Sequence, residues 1–169
     1  KEAHDFNASS KYFKKGVAIM PVCFGISFTK TPMNQARSLV HVYTDGSVAV
    51  STGAVEMGQG VNTKIAQVAA DVFSLPIERV KVHTTNTLRI ANTSPTAASA
   101  AADLNGKATQ MACETILARL KEVAKTLVEA RTADDISIVD SFVHRNGDTT
   151  NLSWARLVDE AHMQRVNLS

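Results

Sequence analysis

Two short stretches carry the residues best suited to chemistry. The first is Gly53-Ala54-Val55-Glu56-Met57-Gly58-Gln59-Gly60. Gly58 and Gly60 let backbone approach a ligand closely. Gln59 offers both a donor and an acceptor, which suits a heterocycle edge or a phosphate. The stretch runs into a predicted helix, whose first N–H groups and dipole favour an anion. On residues alone it is a pterin, nucleotide or phosphate loop, or a tight strand-to-helix turn with capping residues. It is neither a Walker loop nor the spaced dinucleotide fingerprint. Glu56 is its one acidic residue. A single carboxylate can act as a base, pair with a cation or organise backbone.

The second stretch is Asn92-Thr93-Ser94-Pro95-Thr96-Ala97-Ala98-Ser99. It too precedes a helix. Pro95 stiffens it, and Ala97 and Ala98 leave room for a flat ligand against the backbone. Alone it could simply cap the helix. Together the two stretches could bridge a phosphate-bearing ligand. The five histidines, at 4, 41, 83, 144 and 162, are scattered, and no Cys or His spacing suggests a metal site. No metal ligand and no catalytic base is therefore assigned.

The elements that must position these stretches follow from patterning. Residues 2–12 read as a short helix, 16–22 as a strand, and 30–34 as a loop. Ala36–Tyr43 and Val48–Thr52 flank Thr44-Asp45-Gly46-Ser47 and read as a hairpin. Val40 and Val42 share one face, His41 and Tyr43 the other. His41 reads as an ordinary strand side chain. Thr63–Phe73 is predicted to be a helix with a stripe of Ile65, Val68, Ala69 and Val72, capped by Asn62 or Thr63. A short strand over 80–84 follows. A long helix, in one or two segments, is predicted from Ala97 to about Ala130. Its stripe holds Leu104, Ala108, Met111, Ala112, Thr115, Ile116 and Leu120, and Gly106 allows close packing. Residues 136–144 read as a strand and 145–148 as a turn. A last helix opens at Trp154 with Ser153 as its cap, Trp154, Leu157, Val158 and Ala161 sharing a face. The fold class is α+β, a mixed sheet with packed helices, over one unit of residues 1–169 or two small lobes.

The bulk properties narrow the function. With 44% hydrophobic residues the chain can bury a core. A net charge of +2 and 5% aromatic residues argue against a nucleic-acid partner. No apolar run is long enough to span a membrane. Cys23 and Cys113 read as two buried free thiols, which points to a reducing, cytoplasmic setting. The start, Lys1-Glu2-Ala3-His4-Asp5, has neither an initiator Met nor a signal-peptide core. An internal piece of a larger chain is expected.

Glu56-Met57-Gly58-Gln59-Gly60, with Thr63-Lys64 and Gln67, resembles the molybdenum-binding region of the xanthine dehydrogenase and aldehyde oxidase family. Asn92-Thr93-Ser94-Pro95-Thr96-Ala97-Ala98-Ser99, continued by Ala102-Asp103-Leu104-Asn105-Gly106, resembles the same region. Phe24-Gly25-Ile26-Ser27-Phe28, Asn34-Gln35-Ala36 and His41-Val42-Tyr43-Thr44-Asp45-Gly46-Ser47 match it in the same order. The resemblance is strongest over 7–120. It departs at Ala54-Val55, where relatives often carry Gly-Thr, and at Ala100–Ala102, where many carry a serine near Ala101.

The resemblance implies a molybdenum hydroxylase acting on purines, related heterocycles or aldehydes, with oxygen from water. It implies a molybdenum–molybdopterin cofactor, as the plain pterin or its cytosine dinucleotide form. Partner domains or subunits would carry [2Fe–2S] centres and FAD, in an oligomeric parent enzyme. Met57, Gly58 (through its backbone) and Gln59 (through its amide) would contact the pterin. Ala97 and Ala98 would lie near the molybdenum end and the substrate cavity. Ser99 would contact pterin or phosphate. The catalytic glutamate, the substrate-orienting residues and the iron–sulfur ligands would lie outside these residues, so the piece alone would be inactive. A nucleotide- or phosphate-binding module without catalysis, or a purely structural domain, are the competing expectations.

Overall fold

The computed structural model describes residues 1–23, 25–90 and 93–169. Its elements, in order, are α1 (Glu2–Ser9), β1 (Ser38–Val42), β2 (Val48–Thr52), α2 (Val61–Phe73), β3 (Val80–Val82), α3 (Ala101–Leu127), β4 (Ile136–Val139), β5 (Phe142–Arg145), β6 (Asp148–Ser153) and α4 (Trp154–Met163). Single 3-10 turns occupy Thr31–Met33, Ile77–Arg79 and Ala133–Asp135.

The strands form two three-stranded sheets, β1-β2-β3 and β4-β5-β6. The first is mixed, with β1 antiparallel and β3 parallel to β2. The second is wholly antiparallel. The α+β class thus holds, with two small sheets instead of one. The β1–β2 hairpin forms around Asp45-Gly46, with Gly46 at φ +80°, a left-handed angle that glycine adopts without strain. Asp45 Oδ1 accepts from the Ser47 N–H and Oγ–H, which closes the turn. Val40, Val42, Val48 and Val50 face the core. The opposite face of β1 carries His41 stacked on Tyr43, both exposed.

The core joins that face to α2, α3 and α4, centred on Ile65, Phe73, Ile116, Leu120, Leu157 and Val158. Helix α2 ends at Ser74 in the left-handed conformation, just before Leu75-Pro76. Helix α4 starts as its sequence predicts, with the Ser153 hydroxyl accepting from Arg156 N–H. Its four patterned residues, Trp154, Leu157, Val158 and Ala161, are all buried.

Several expectations are corrected. Residues 16–22, apolar and β-rich, are exposed and irregular. No strand among the described residues pairs with them, and an apolar run without a ladder cannot make a strand. Phe24, in the same stretch, lies outside the described residues. The strand predicted over 136–144 is a hairpin, β4–β5, reversed at Asp140 and Ser141 with φ +49° and +66°. No Gly or Pro marks that turn. The strand predicted over 80–84 stops at Val82. Cys23 is exposed and Cys113 buried. Burial, helped by the neighbouring Glu114, pushes the Cys113 thiol up to about 12.

Helix α3 is one continuous helix and begins four residues later than predicted. Its buried line is Asn105, Gly106, Thr109, Cys113, Ile116, Leu120, Val123 and Ala124, while Met111 and Thr115 face solvent. Thr109 is accommodated because its hydroxyl and that of Ser38 on β1 lie 2.9 Å apart, which satisfies a polar group that burial would otherwise penalise. Gly106 faces α2, yet a Cβ there would lie 3.7 Å from Val68 Cγ2, ordinary contact. Close packing therefore does not require glycine. Gly106→Ala is expected to stabilise the chain by about 0.5–1 kcal/mol through helix propensity. A urea-unfolding midpoint that falls would show that α2 and α3 tolerate no added methyl.

Candidate functional site

The two loops singled out in the sequence meet at one cleft. The backbone N–H of Val55 donates to Thr96 Oγ1 at 2.9 Å, joining them directly. Around this contact lies a cleft of about 280 Å³ lined by Met57, Gln59, Val61, Lys64, Thr96, Ala97, Ser99, Ala101 and Ala102. Four of the six residues chosen from the sequence, Met57, Gln59, Ala97 and Ser99, share that lining. Gly58 and Ala98 belong to the same two loops but are not in the lining. A larger hollow of about 540 Å³ lies at the other end of α2, among Asp71, Ser74, Pro76, Asp140 and Ser141, and neither loop reaches it.

The approach of the loops rests on small residues and local hydrogen bonds. A Cβ at Gly53 would fall 2.1 Å from Thr93 Cγ2, so any side chain there would force Thr93 to move. Thr85 donates its hydroxyl to the Thr52 or the Ala54 carbonyl, at 2.6 and 2.8 Å, and Thr93 donates to the Gln35 carbonyl. Asn92, which opens the second motif, lies outside the described residues.

The first loop is held by two of its own side chains. Glu56 Oε1 accepts from the N–H groups of Gly58 and Gly60, each at 2.9 Å, and Oε2 from Asn62 N–H at 3.0 Å. These bonds, that from Asn62 foremost and then that from Gly60, hold the Glu56 carboxyl below the usual carboxylate range. Gln59 Oε1 accepts from Met57 N–H at 2.6 Å, and its Nε2 donates to the Val55 carbonyl at 2.7 Å. That leaves one N–H and one lone pair on the Gln59 amide for a ligand. Gly58 and Gly60 have φ of +97° and +77°, which explains why glycine occupies both positions.

Two expectations change here. Asn62 and Thr63 do not cap α2: Gly60 is the N-cap, without a side-chain bond of its own, and the Glu56 carboxylate takes the amides of Gly60 and Asn62. The α2 N-terminus, read from sequence as open to a ligand anion, is thus occupied by the chain's own carboxylate. The Gly58 N–H is engaged too, so its carbonyl is the backbone group that remains.

The second loop ends in strain. Ala98 and Ser99 are consecutive non-glycine residues at φ +53° and +52°, a conformation that costs about 1–2 kcal/mol per residue. The Ala98 carbonyl is fixed by the N–H of Ser27 at 3.0 Å. Such strain concentrates where a site needs a fixed backbone shape. The chain then enters α3 with Ala100 as N-cap and no side-chain cap. Lys64 and the first residues of α3, Ala101 and Ala102, border the cleft, and Asp103 lies in the same first turn of α3. Lys64, Thr96, Ala101 and Ala102 lie in or beside the stretches quoted from sequence but were not among the six residues chosen as contacts. For Lys64 the signal was its place one turn after Gly60, on the helix face that follows the loop.

This lining fits a flat, polar, anionic ligand. Alanines at 97, 101 and 102 leave the floor shallow, Gln59 can read a heterocycle edge, and Ser99, Lys64 and the α3 amides suit a phosphate. Among the described residues no three His, Cys, Asp or Glu gather as metal ligands. A metal here would arrive held by its own organic ligand.

The comparisons with known proteins agree with a cofactor-binding fold. The sequence model of the molybdopterin cofactor-binding domain matches residues 1–169, and the chain belongs to that family. It is 55% identical over 124 residues to xanthine dehydrogenase 1 of Arabidopsis thaliana, covering 73% of this chain and 9% of that protein. It is 50% identical over 124 residues to xanthine dehydrogenase/oxidase of Mus musculus, with the same coverage of 73% and 9%. The chain thus spans about 9% of the length of these curated relatives. Among solved structures it resembles quinoline 2-oxidoreductase from Pseudomonas putida 86, with a TM-score of 0.65 and 30% identity over 77% of this chain and 16% of that one. The fold also resembles CO dehydrogenase from Oligotropha carboxidovorans, with a TM-score of 0.67 and 21% identity over 75% and 16% of the two chains. No described helix is long and apolar enough to cross a membrane.

Proposed function

We propose that this chain is the cofactor cradle of a xanthine dehydrogenase-like molybdenum hydroxylase. The observation that carries the reading is the convergence of the 53–60 and 93–99 loops on one cleft, joined through Val55 and Thr96. When bound, molybdenum–molybdopterin supplies hydroxylation of a carbon beside nitrogen, or oxidation of an aldehyde, with oxygen from water. The chain's own residues bind and orient. Gln59 reads a pterin edge with its remaining N–H and lone pair, and Met57 covers it. Gly58 contributes its carbonyl. Ala97 and the backbone at Ala98 keep the floor flat toward the substrate cavity. Ser99, Lys64 and the first-turn amides of α3 hold the phosphate. With Ala101 in place of a hydroxyl, backbone N–H groups carry that contact. The substrate is a purine, a related heterocycle or an aldehyde. [2Fe–2S] and FAD domains or subunits receive the electrons in an oligomeric, cytoplasmic parent enzyme. These 169 residues alone are expected to be inactive.

The test is molybdenum and pterin content of the natively expressed parent, with and without Gln59→Ala. Near-stoichiometric metal is expected in the parent. In the variant, pterin loading is expected to fall on the order of tenfold, as the loss of one or two ligand hydrogen bonds would give. A parent that carries neither, from a host that makes the cofactor, refutes the hydroxylase reading and leaves a phosphate-binding module.

A further inference from the structure

We propose that Glu56 is a positioning residue that holds the 55–60 loop in its ligand-facing shape and, by occupying the N-terminus of α2, keeps a ligand's anionic group away from that helix. The first half rests on geometry alone. One carboxylate gathers amides two, four and six residues further on, at 2.9, 2.9 and 3.0 Å. Gln59 gathers the amide of Met57 and the carbonyl of Val55 from the other side. Between them the two side chains engage the backbone on both flanks of Gly58. The loop is thereby ordered before any ligand arrives, with Met57 and Gln59 turned to the cleft. A side chain that is already immobilised loses less entropy on binding.

The second half is electrostatic and rests on the cofactor-cradle reading above. Two helices begin at this cleft. The start of α2 carries a fixed negative charge on its amides, so its dipole is already answered and a second anion there would meet like charge. The start of α3 has no side-chain cap but carries Asp103 in its first turn, and the cation in the lining is Lys64, on the first turn of α2. The anionic end of an elongated ligand is therefore left the Lys64 side chain and Ser99, and not the α2 amides. Glu56 closes the α2 amides to the anion without touching the ligand.

The experiment uses the full-length parent in cofactor-free and loaded forms, with Glu56→Gln and Glu56→Ala. Glutamine keeps the shape, but one carboxylate oxygen becomes an NH2 that cannot accept an amide. Hydrogen exchange of the peptide spanning 55–62 is followed in the cofactor-free protein. It is expected to quicken on the order of tenfold in both variants, with peptides from the α2–α3 core unchanged. Formate, a free carboxylate, is expected to restore protection in Glu56→Ala. Inorganic phosphate is expected to protect the same peptide in Glu56→Ala and not in the native protein. In the loaded form, pterin content should fall in both variants. Unchanged exchange in Glu56→Gln, absent rescue by formate, unchanged pterin content, or protection of the native loop by phosphate would each overturn the proposal. If Glu56→Ala does not fold, Glu56→Gln carries the exchange and loading measurements. A native parent lacking molybdenum and pterin defeats the hydroxylase reading, while the exchange and anion results still decide whether Glu56 organises the loop.

Discussion

Trp154→Ala is expected to destabilise the chain by about 3–5 kcal/mol, the usual cost of emptying a large buried aromatic site. That is a large share of the ~5–15 kcal/mol that holds a typical domain together. Trp154 is 3% exposed. Its ring packs against Phe73, with centroids 5.2 Å apart. Its Nε1–H donates to the Gly46 carbonyl at 2.8 Å, across 108 positions of sequence. A Cβ at Gly46 would sit 2.9 Å from the indole Cδ1, so the hairpin turn and the indole fit closely. Truncation leaves a cavity beside Phe73 and strips the buried Gly46 carbonyl of its donor. Trp154→Phe separates the two effects: it keeps much of the packing, loses the hydrogen bond, and is expected to cost about 1–3 kcal/mol. Urea unfolding of both variants checks this. A loss below about 1 kcal/mol in Trp154→Ala, no more than a typical surface change, would mean that α4 is not fastened to the first sheet through this residue.

Ala97→Leu is expected to have the largest effect on ligand loading. The cleft holds about 280 Å³, and Ala97 forms part of a floor built from alanine. A leucine placed there projects three further carbons into the space a flat ligand would occupy. Rigid surroundings do not absorb such volume without cost. The adjacent backbone is fixed too, by the left-handed pair Ala98–Ser99 and by the Ser27–Ala98 hydrogen bond. Pterin content of the parent carrying Ala97→Leu is expected to fall more than about tenfold, since overpacking commonly costs 1–3 kcal/mol. Thermal stability should hardly change, because the added carbons point into open space. Normal pterin content would place the ligand elsewhere. A collapse of stability with the loading would instead make Ala97 a packing residue.

The legible parts of this fold are those whose signal is local. Asp45-Gly46 between β-rich runs dictates the hairpin, and the periodic apolar residues of α2 and α4 dictate helices with the observed faces. The two loops were legible as a pair because both combine small residues with the start of a helix. What sequence hid depends on tertiary partners. The buried line of α3 runs through Asn105 and Thr109, polar residues that look like surface positions until the helix is packed, Thr109 against Ser38. Asp140 and Ser141 reverse the chain without glycine or proline. Residues 16–22 are apolar like a buried strand yet pair with no strand among the described residues. Within the site, the grip of Glu56 on three amides follows no spacing rule as simple as a capping box, and the strain at Ala98 and Ser99 leaves no trace in their side chains.

Helix α3 joins regions that are otherwise far apart. It starts at the cleft with Ala101 and Ala102, and its far end lies beside Arg145 of the second sheet, whose guanidinium donates to the Val128 carbonyl at 2.7 Å. Its 27 residues make a rod about 40 Å long. A rod of that length is a lever arm. Pivoting about 2° at its far end would carry the cleft floor more than about 1 Å, a displacement that can cost on the order of a hundredfold in rate when a reacting centre is involved. The second sheet, which shares no residue with the cleft, thus joins α2, β1 and α4 in holding this lever still.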